Sequence, residues 1–291
     1  LPNVPADWRL VYGDVDLPFG SIGSGYVFPS PPEIGSPDLT NDDARRARAD
    51  GVLFGQDTRG GTTVAFDVDV VAADEAAVLS KLAPLAAAWR ADSIRSTPGA
   101  TATLVADTGR VTFGRPRRFA HQHTYRKDGL IQVTADFATA DDLWYGPERS
   151  TSVSLVPTPS GGLLAPLASP LSTTRTSDRS QVFEVDGELP TWPVFTVRGP
   201  ITNPVVEVTG VLRIAVTRTL AYDQTLVIDT RPWARSVLLD GASIGGAVSP
   251  TSTRLSRAAV PPGVNEATLR GASANGTATL SVAWRPAFHT P

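Results

Sequence analysis

His121 and His123 stand two positions apart in Arg117–Tyr125, a segment that reads as a strand, so both imidazoles leave one face. Two imidazoles on one face could begin a metal site, with Asp136 on the paired strand as a third ligand. The competing reading is an exposed hairpin face that also carries Arg117 and Tyr125. Gly241-Ala242-Ser243-Ile244-Gly245 matches G-x-S-x-G, the sharp strand-to-helix turn that exposes a nucleophilic serine. Ala247-Val248-Ser249-Pro250 follows it and is not helical, and the only downstream histidine is His289, so a glycine-rich β-turn is the preferred reading. Asp67 and Asp69, like Asp14 and Asp16, share a strand face. Paired carboxylates can serve acid–base chemistry or hold calcium, but solvent-facing alternation accounts for them. Gly20–Gly25 has the glycine density of a phosphate loop without the Lys-Ser/Thr ending or a following helix.

Arg45, Arg46 and Arg48 form one basic group, and Arg115, Arg117 and Arg118 another. Basic clusters can track phosphates, but no aromatic beyond Phe119 interleaves the second. Subunit contact or solvated charge suits that second group better, with acidic segments such as Asn41-Asp42-Asp43 of a neighbouring copy as natural partners for it. No set is complete. The residues therefore assign no catalytic, cofactor-binding or metal position, and a non-enzymatic protein without cofactor is expected.

The elements that would position these residues are mostly strands. In Thr277–Arg285, Ala278, Leu280, Val282 and Trp284 alternate with polar or small residues, the period of a half-buried strand. Val64, Phe66, Val68 and Val70 alternate in the same way. Further strands are expected at Ala102–Ala106, Arg110–Phe113, Arg117–Tyr125, Leu130–Ala138 and Ser152–Val156. Asp107-Thr108-Gly109 and Lys127-Asp128-Gly129 turn them into antiparallel hairpins. Asp74–Arg90 is the one good helix: Val78, Leu82, Leu85 and Trp89 recur at spacings of three and four, and Asp74 is placed to cap it. Pro84 inside it should kink or split it.

Composition shifts at Pro157–Arg179, which is rich in Pro, Gly, Ser and Thr. The expected organisation is therefore an N-terminal β domain over 1–156 with a helix near 74–90, a linker over 157–180, and a C-terminal domain over 181–291. In the last, strands at Phe195–Arg198, Val205–Thr209, Leu212–Thr217, Thr225–Asp229, Ser236–Leu239, Glu266–Arg270 and Thr277–Trp284 favour an antiparallel sandwich of jelly-roll type.

The 291 residues carry a net charge of −3 and no cysteine, which removes disulfides, thiolate metal sites and cysteine nucleophiles. No global attraction to nucleic acid or membrane follows from that charge. No apolar run approaches the ~18–20 residues of a membrane span, so no membrane insertion is expected. No signal peptide is legible, and the absence of Met suggests a processed or more distant start. Among 26 basic residues only Lys81 and Lys127 are lysine, which with the abundant Ala, Val, Gly and Pro suggests a GC-rich coding sequence.

Several stretches, taken in order, resemble the distal tail proteins, also called minor tail proteins, of long-tailed non-contractile bacteriophages. They are Arg48-Ala49-Asp50-Gly51-Val52-Leu53-Phe54-Gly55-Gln56-Asp57, the helix ending in Trp89, and Phe113-Gly114-Arg115-Pro116-Arg117-Arg118-Phe119. Ala135-Asp136-Phe137, Leu143-Trp144-Tyr145, Gly161-Gly162 and Gly199-Pro200-Ile201-Thr202-Asn203-Pro204 follow. Pro262-Gly263-Val264-Asn265 and Ala283-Trp284-Arg285 close the set. The likeness spans nearly the whole chain and rests on the ordered set.

The resemblance implies a structural virion protein, made in the host cytoplasm and placed at the distal end of the tail. It implies a hexameric ring that joins the tail tube protein to the tail-tip hub or baseplate and to receptor-binding fibres. It also implies a mainly β chain: a tail-tube-like domain with one packed helix, then a β-sandwich similar to carbohydrate-binding modules. No catalytic residue and no sequence-specific nucleic-acid contact carries over. The Pro-rich segment Ser21–Arg48 would be a loop that reaches a neighbouring subunit. The alternative is an adhesion protein whose C-terminal sandwich attaches to host surface glycans, with Trp192 or Trp233 stacking on sugar rings. An enzyme acting on cell-wall sugar would need a carboxylate pair about 5–10 Å apart, and none is marked out.

Overall fold

The computed structural model describes residues 7–155, 180–273 and 276–291. They form two compact units: Leu1–Gly146 with Phe288–Pro291, and Pro147–Ala287. Almost all of the expected linker, 157–180, lies outside the described residues.

The first unit begins with the hairpin β1 (Trp8–Tyr12) and β2 (Val15–Phe19). Two short strands follow, β3 (Tyr26–Val27) and β4 (Glu33–Ile34). Next come four two-residue strands: β5 (Leu39–Thr40), β6 (Ala44–Arg45), β7 (Val52–Leu53) and β8 (Thr58–Arg59). β9 (Thr63–Val71) leads into α1 (Glu75–Arg90) and the single turn α2 (Asp92–Arg95). β10 (Ala102–Val105), β11 (Val111–Gln122), β12 (Leu130–Thr139) and β13 (Trp144–Tyr145) complete it. The main sheet runs β2-β1-β10-β11-β12-β9-β3, with antiparallel neighbours throughout.

Alternation decides which face closes on the core. Val64, Phe66, Val68 and Val70 are buried, and so are Ile131, Val133, Ala135 and Phe137 opposite them. Helix α1 covers that face with Val78, Leu82, Leu85, Ala88 and Trp89. Each Val, Leu, Ile or Phe side chain, once buried there, stabilises the fold by roughly 1.5–3 kcal/mol. Three polar tips fix the helix on the sheet: Tyr12 Oη donates to Ala88 O at 2.6 Å, Tyr26 Oη to Lys81 O at 2.9 Å, and Trp89 Nε1 to Asp136 O at 3.1 Å.

Asp74 caps α1 as expected, its Oδ1 accepting from Ala77 N at 2.8 Å. The helix is not split at Pro84. Pro84 and Ser80, whose carbonyl loses its usual partner, are both exposed, so water can replace the missing donor. The segments Arg110–Phe113 and Arg117–Tyr125, expected as separate strands, merge into the single strand β11, which ends at Gln122, short of the expected Tyr125. Its register against β12 steps from Pro116↔Phe137 to Phe119↔Ala135, one extra residue on β11, a bulge beside the proline that cannot donate to the ladder.

In the second unit β14 (Arg149–Ser154) pairs with β24 (Thr279–Trp284), so this strand packs with the C-terminal elements. Between them run β15 (Ser180–Val185), β16 (Val194–Arg198), β17 (Ile201–Val208) and β18 (Leu212–Ala215). β19 (Thr219–Leu220), β20 (Thr225–Asp229), β21 (Ser236–Leu239), β22 (Ala242–Ser243) and β23 (Gly263–Ala272) follow. One sheet has the order β14-β24-β16-β20-β21-β22; the other is β15-β23-β17-β18, with β19 beside β17. Their buried faces share one core, including Phe195, Val197, Leu226 and Ile228 from the first and Val206, Val208, Ala267 and Leu269 from the second. That is a β-sandwich. The order of strands alternates repeatedly between the sheets, the jelly-roll habit expected from the sequence. Ala278, Leu280, Val282 and Trp284 all face the core.

Candidate assembly surface

The residues that sequence spacing offered for chemistry do not converge. His121 stands opposite Val133, whose side chain is buried, so it leaves the same face of the sheet as Val133. Asp136, three positions on, leaves the other face and cannot complete a histidine site. His123 lies beyond the end of β11, and its Nε2 sits 2.7 Å from His121 Nδ1, one ring donating to the other. Among the described residues no group of three His, Asp or Glu is placed to hold a metal ion. No helix among them is long and apolar enough to cross a membrane.

Ser243 ends β22 in a turn, without a following α-helix, and His289 belongs to the other compact unit. The cavity of about 600 Å³ beside Ser243 is lined by Thr217, Arg218 and apolar or small residues, with no general base. Asp16 is taken up by Arg9, whose Nε donates to Asp16 Oδ1 at 3.0 Å. Asp67 accepts from Thr134 Oγ1 at 3.3 Å, and Asp69 is raised above the usual carboxylate range by burial and then by Asp67. Gly20–Gly25 closes on itself through Gly20 N to Tyr26 O and Gly25 N to Ile22 O, and strand β3 follows. Arg115 is spent internally, donating to Ala100 O at 2.6 Å and Thr97 O at 2.7 Å. Trp192 and Trp233 are both half-buried, and Trp233 lies under the Arg231 guanidinium at 5.8 Å.

What the fold does expose is an arm. Every residue from 38 to 59 is exposed, yet the segment is paired: Leu39↔Arg59 and Thr40↔Thr58, then Ala44↔Leu53 and Arg45↔Val52. Gly55 lets the two sides meet, because a Cβ there would lie 2.0 Å from Asp42 O. Asp43 Oδ1 accepts from Gly55 N at 3.0 Å. The arm carries apolar groups with nothing of their own unit to cover them: Phe54 is 88% exposed, Leu39 64% and Leu53 54%. Around them stand Asp38, Asp42, Asp43, Asp50 and Asp57 with Arg45, Arg46 and Arg48, both signs on one surface. The loop expected over Ser21–Arg48 contains the four short strands β3 to β6. The return side of the arm, Val52–Leu53 and Thr58–Arg59, lies beyond the Arg48 end of that loop.

The root of the arm is anchored by polar contacts. Thr62 N donates to Thr139 Oγ1 and Thr139 N to Thr62 O, both at 2.8 Å. Thr62 Oγ1 donates to Gly35 O at 2.5 Å, and Arg59 Nη1 pairs with Asp142 Oδ2 at 3.2 Å. Next to Asp142, Asp141 accepts from Tyr145 Oη at 2.6 Å and from Leu143 N at 3.2 Å. Burial pushes the Asp141 carboxyl up to about 6; those two hydrogen bonds pull it down and Asp142 adds to the rise.

No family model and no curated protein matches the chain. Solved structures do. The Dit (gp 19.1) protein of SPP1, described as a paradigm of the hub adsorption apparatus in phages that infect Gram-positive hosts, aligns over 97% of this chain and 99% of its own. The TM-score is 0.57 at 15% identity. A chain of the phage P2 baseplate in its activated conformation with calcium aligns over 95% of this chain and 97% of its own, with a TM-score of 0.53 at 12% identity. The strontium form of that baseplate gives 0.52. The chain therefore shares the fold of phage tail hub and baseplate proteins across both of its units.

Proposed function

We propose that this chain is a structural component of a phage tail tip, a distal tail protein that closes into a hexameric ring. In that ring it joins the tail tube to the hub and to receptor-binding parts at the far end of the tail. The observation that carries the reading is the fold shared end to end with the SPP1 Dit protein, both units included. The arm supports the ring. A ring pairs the free surfaces of each copy with its neighbour, and an exposed ladder with apolar residues and both charges suits such a contact. The arm becomes covered when a second copy receives it, with Phe54, Leu53 and Leu39 as the groups that gain most.

Antibody labelling of purified particles tests the placement. Label at the distal end of the tail is expected; a virion without the chain, or label confined to the capsid, overturns it. A second reading, attachment to host glycans through the C-terminal unit, is favoured by one observation. Tyr222 is 80% exposed on that unit.

A further inference from the structure

Tyr222 sits in a closed turn. Gln224 N donates to Ala221 O at 3.2 Å, and Gln224 Oε1 accepts from Ala221 N at 2.9 Å. The turn is pressed onto Gly199, where a Cβ would lie 2.0 Å from Ala221 O, and Gly199 N donates to Gln224 O at 3.2 Å. The backbone that carries Tyr222 is thus fixed from both sides, so little backbone freedom is lost on binding.

Beside it lies an open groove of about 420 Å³, within the ~300–1,000 Å³ of small-ligand sites. Arg198, Asp223, Thr225, Thr277 and Thr279 line it together with Tyr222. Their placement follows from register: Arg198 stands opposite Thr225 on one side and Thr279 on the other, all on the outer face of the sheet. The groove thus offers one aromatic face, one fork of donors, one carboxylate and three hydroxyls.

The chemistry narrows the ligand. One cation and one anion balance, which disfavours a polyphosphate or nucleic-acid strand. β16 is hydrogen-bonded on both sides, by β20 and β24, so no free edge is available for an added peptide strand. A sugar ring has an apolar C–H face for an aromatic ring and rim hydroxyls that both donate and accept. We propose that this groove binds a neutral oligosaccharide, with Tyr222 as the stacking platform and Arg198 and Asp223 gripping the hydroxyls. The proposal deepens the glycan reading and rests on it; Tyr222 replaces Trp192 and Trp233, which are half-buried.

The test uses the full chain on an array of neutral, N-acetylated and acidic glycans, then calorimetric titration with chitotetraose, cellotetraose and the strongest array glycan. Binding to a neutral glycan is expected. Tyr222→Ala should weaken it at least tenfold, Tyr222→Phe should keep it, and Arg198→Gln or Asp223→Asn should weaken it with the thermal midpoint unchanged. No array response, a preference confined to acidic glycans, or equal affinity of Tyr222→Ala overturns the proposal. Native mass spectrometry of the same samples separates the two readings. Rings without glycan binding remove this site alone, whereas glycan binding by a chain that stays monomeric even with tail tube protein added removes the ring reading and leaves the site standing.

Discussion

Thr62 and Thr139 exchange a reciprocal pair of hydrogen bonds, Thr62 N to Thr139 Oγ1 and Thr139 N to Thr62 O, both at 2.8 Å. Thr62 is buried, and it stands where the arm rejoins the sheet. One backbone donor of the root thus depends on a single hydroxyl. Thr139→Val keeps the shape, removes the hydroxyl and strands the Thr62 N–H, at a cost of about 1–3 kcal/mol. Denaturant unfolding should show that loss, and amide exchange should accelerate at Thr62 and along the return strand of the arm. Unchanged stability and exchange would contradict this account of the root.

The arm is built to be covered by another molecule. In dilute solution trypsin should cut first after Arg45, Arg46 or Arg48, because all three are exposed, Arg45 on a two-residue ladder and the other two in the connection that follows it. In an assembled ring those sites should be protected. Cleavage at the same rate in both forms would remove the arm from the interface.

Phe54→Ser separates assembly from folding. At 88% exposure the ring contributes little to its own unit, so the isolated chain should change by no more than about 0.5 kcal/mol. Self-association should weaken at least tenfold in sedimentation runs over a concentration series. Unaltered association would mean that Phe54 stays exposed in the ring.

Asp141 supplies a pH signature. Its carboxyl is held at about 6, above the value of 3.8 it has when free, chiefly by burial. The folded chain therefore binds this proton more tightly than the unfolded one, so the contribution of Asp141 to stability is greatest below about pH 4 and falls as pH rises towards 6. Asp141→Asn keeps an acceptor and removes the buried charge. It should be more stable than the parent at pH 7, by about 1–3 kcal/mol, and the difference should vanish near pH 4. A constant difference between pH 4 and pH 7 would show that the carboxyl titrates normally.

Alternation in the last strand can be tested directly. Leu280 is fully buried and Ser281 is not. Leu280→Ala should cost about 2–5 kcal/mol in thermal or chemical unfolding, and Ser281→Ala less than about 0.5. Similar costs would mean that the strand does not present one face to a core.

Most strands were legible because one face of each is buried: the period-two runs Val64–Val70 and Ala278–Trp284 stand in the chain as written. The stripe from Val78 to Trp89 did the same for the helix. Other features depend on distant partners and leave no local signal. Pro116 broke the pattern of β11, but the break is absorbed by a bulge against β12. The arm has too few apolar residues for a period to emerge. Asp141 is one of two adjacent aspartates in the chain, and only its hydrogen bonds from Tyr145 and Leu143 set it apart. The histidine pair failed as a site for a similar reason. Spacing fixes which face a residue leaves, but register decides whether Asp136 shares that face. Tyr222 had no periodic context at all, and its significance comes from Gly199 and Arg198, which the fold brings beside it.

The ring is the centre of the account, and electron microscopy of the purified chain at high concentration, with native mass spectrometry on the same sample, tests it most directly. Closed rings about a central channel, with the mass of a hexamer, are the expected result. A homogeneous monomer that stays monomeric when tail tube protein is added as a template would contradict it.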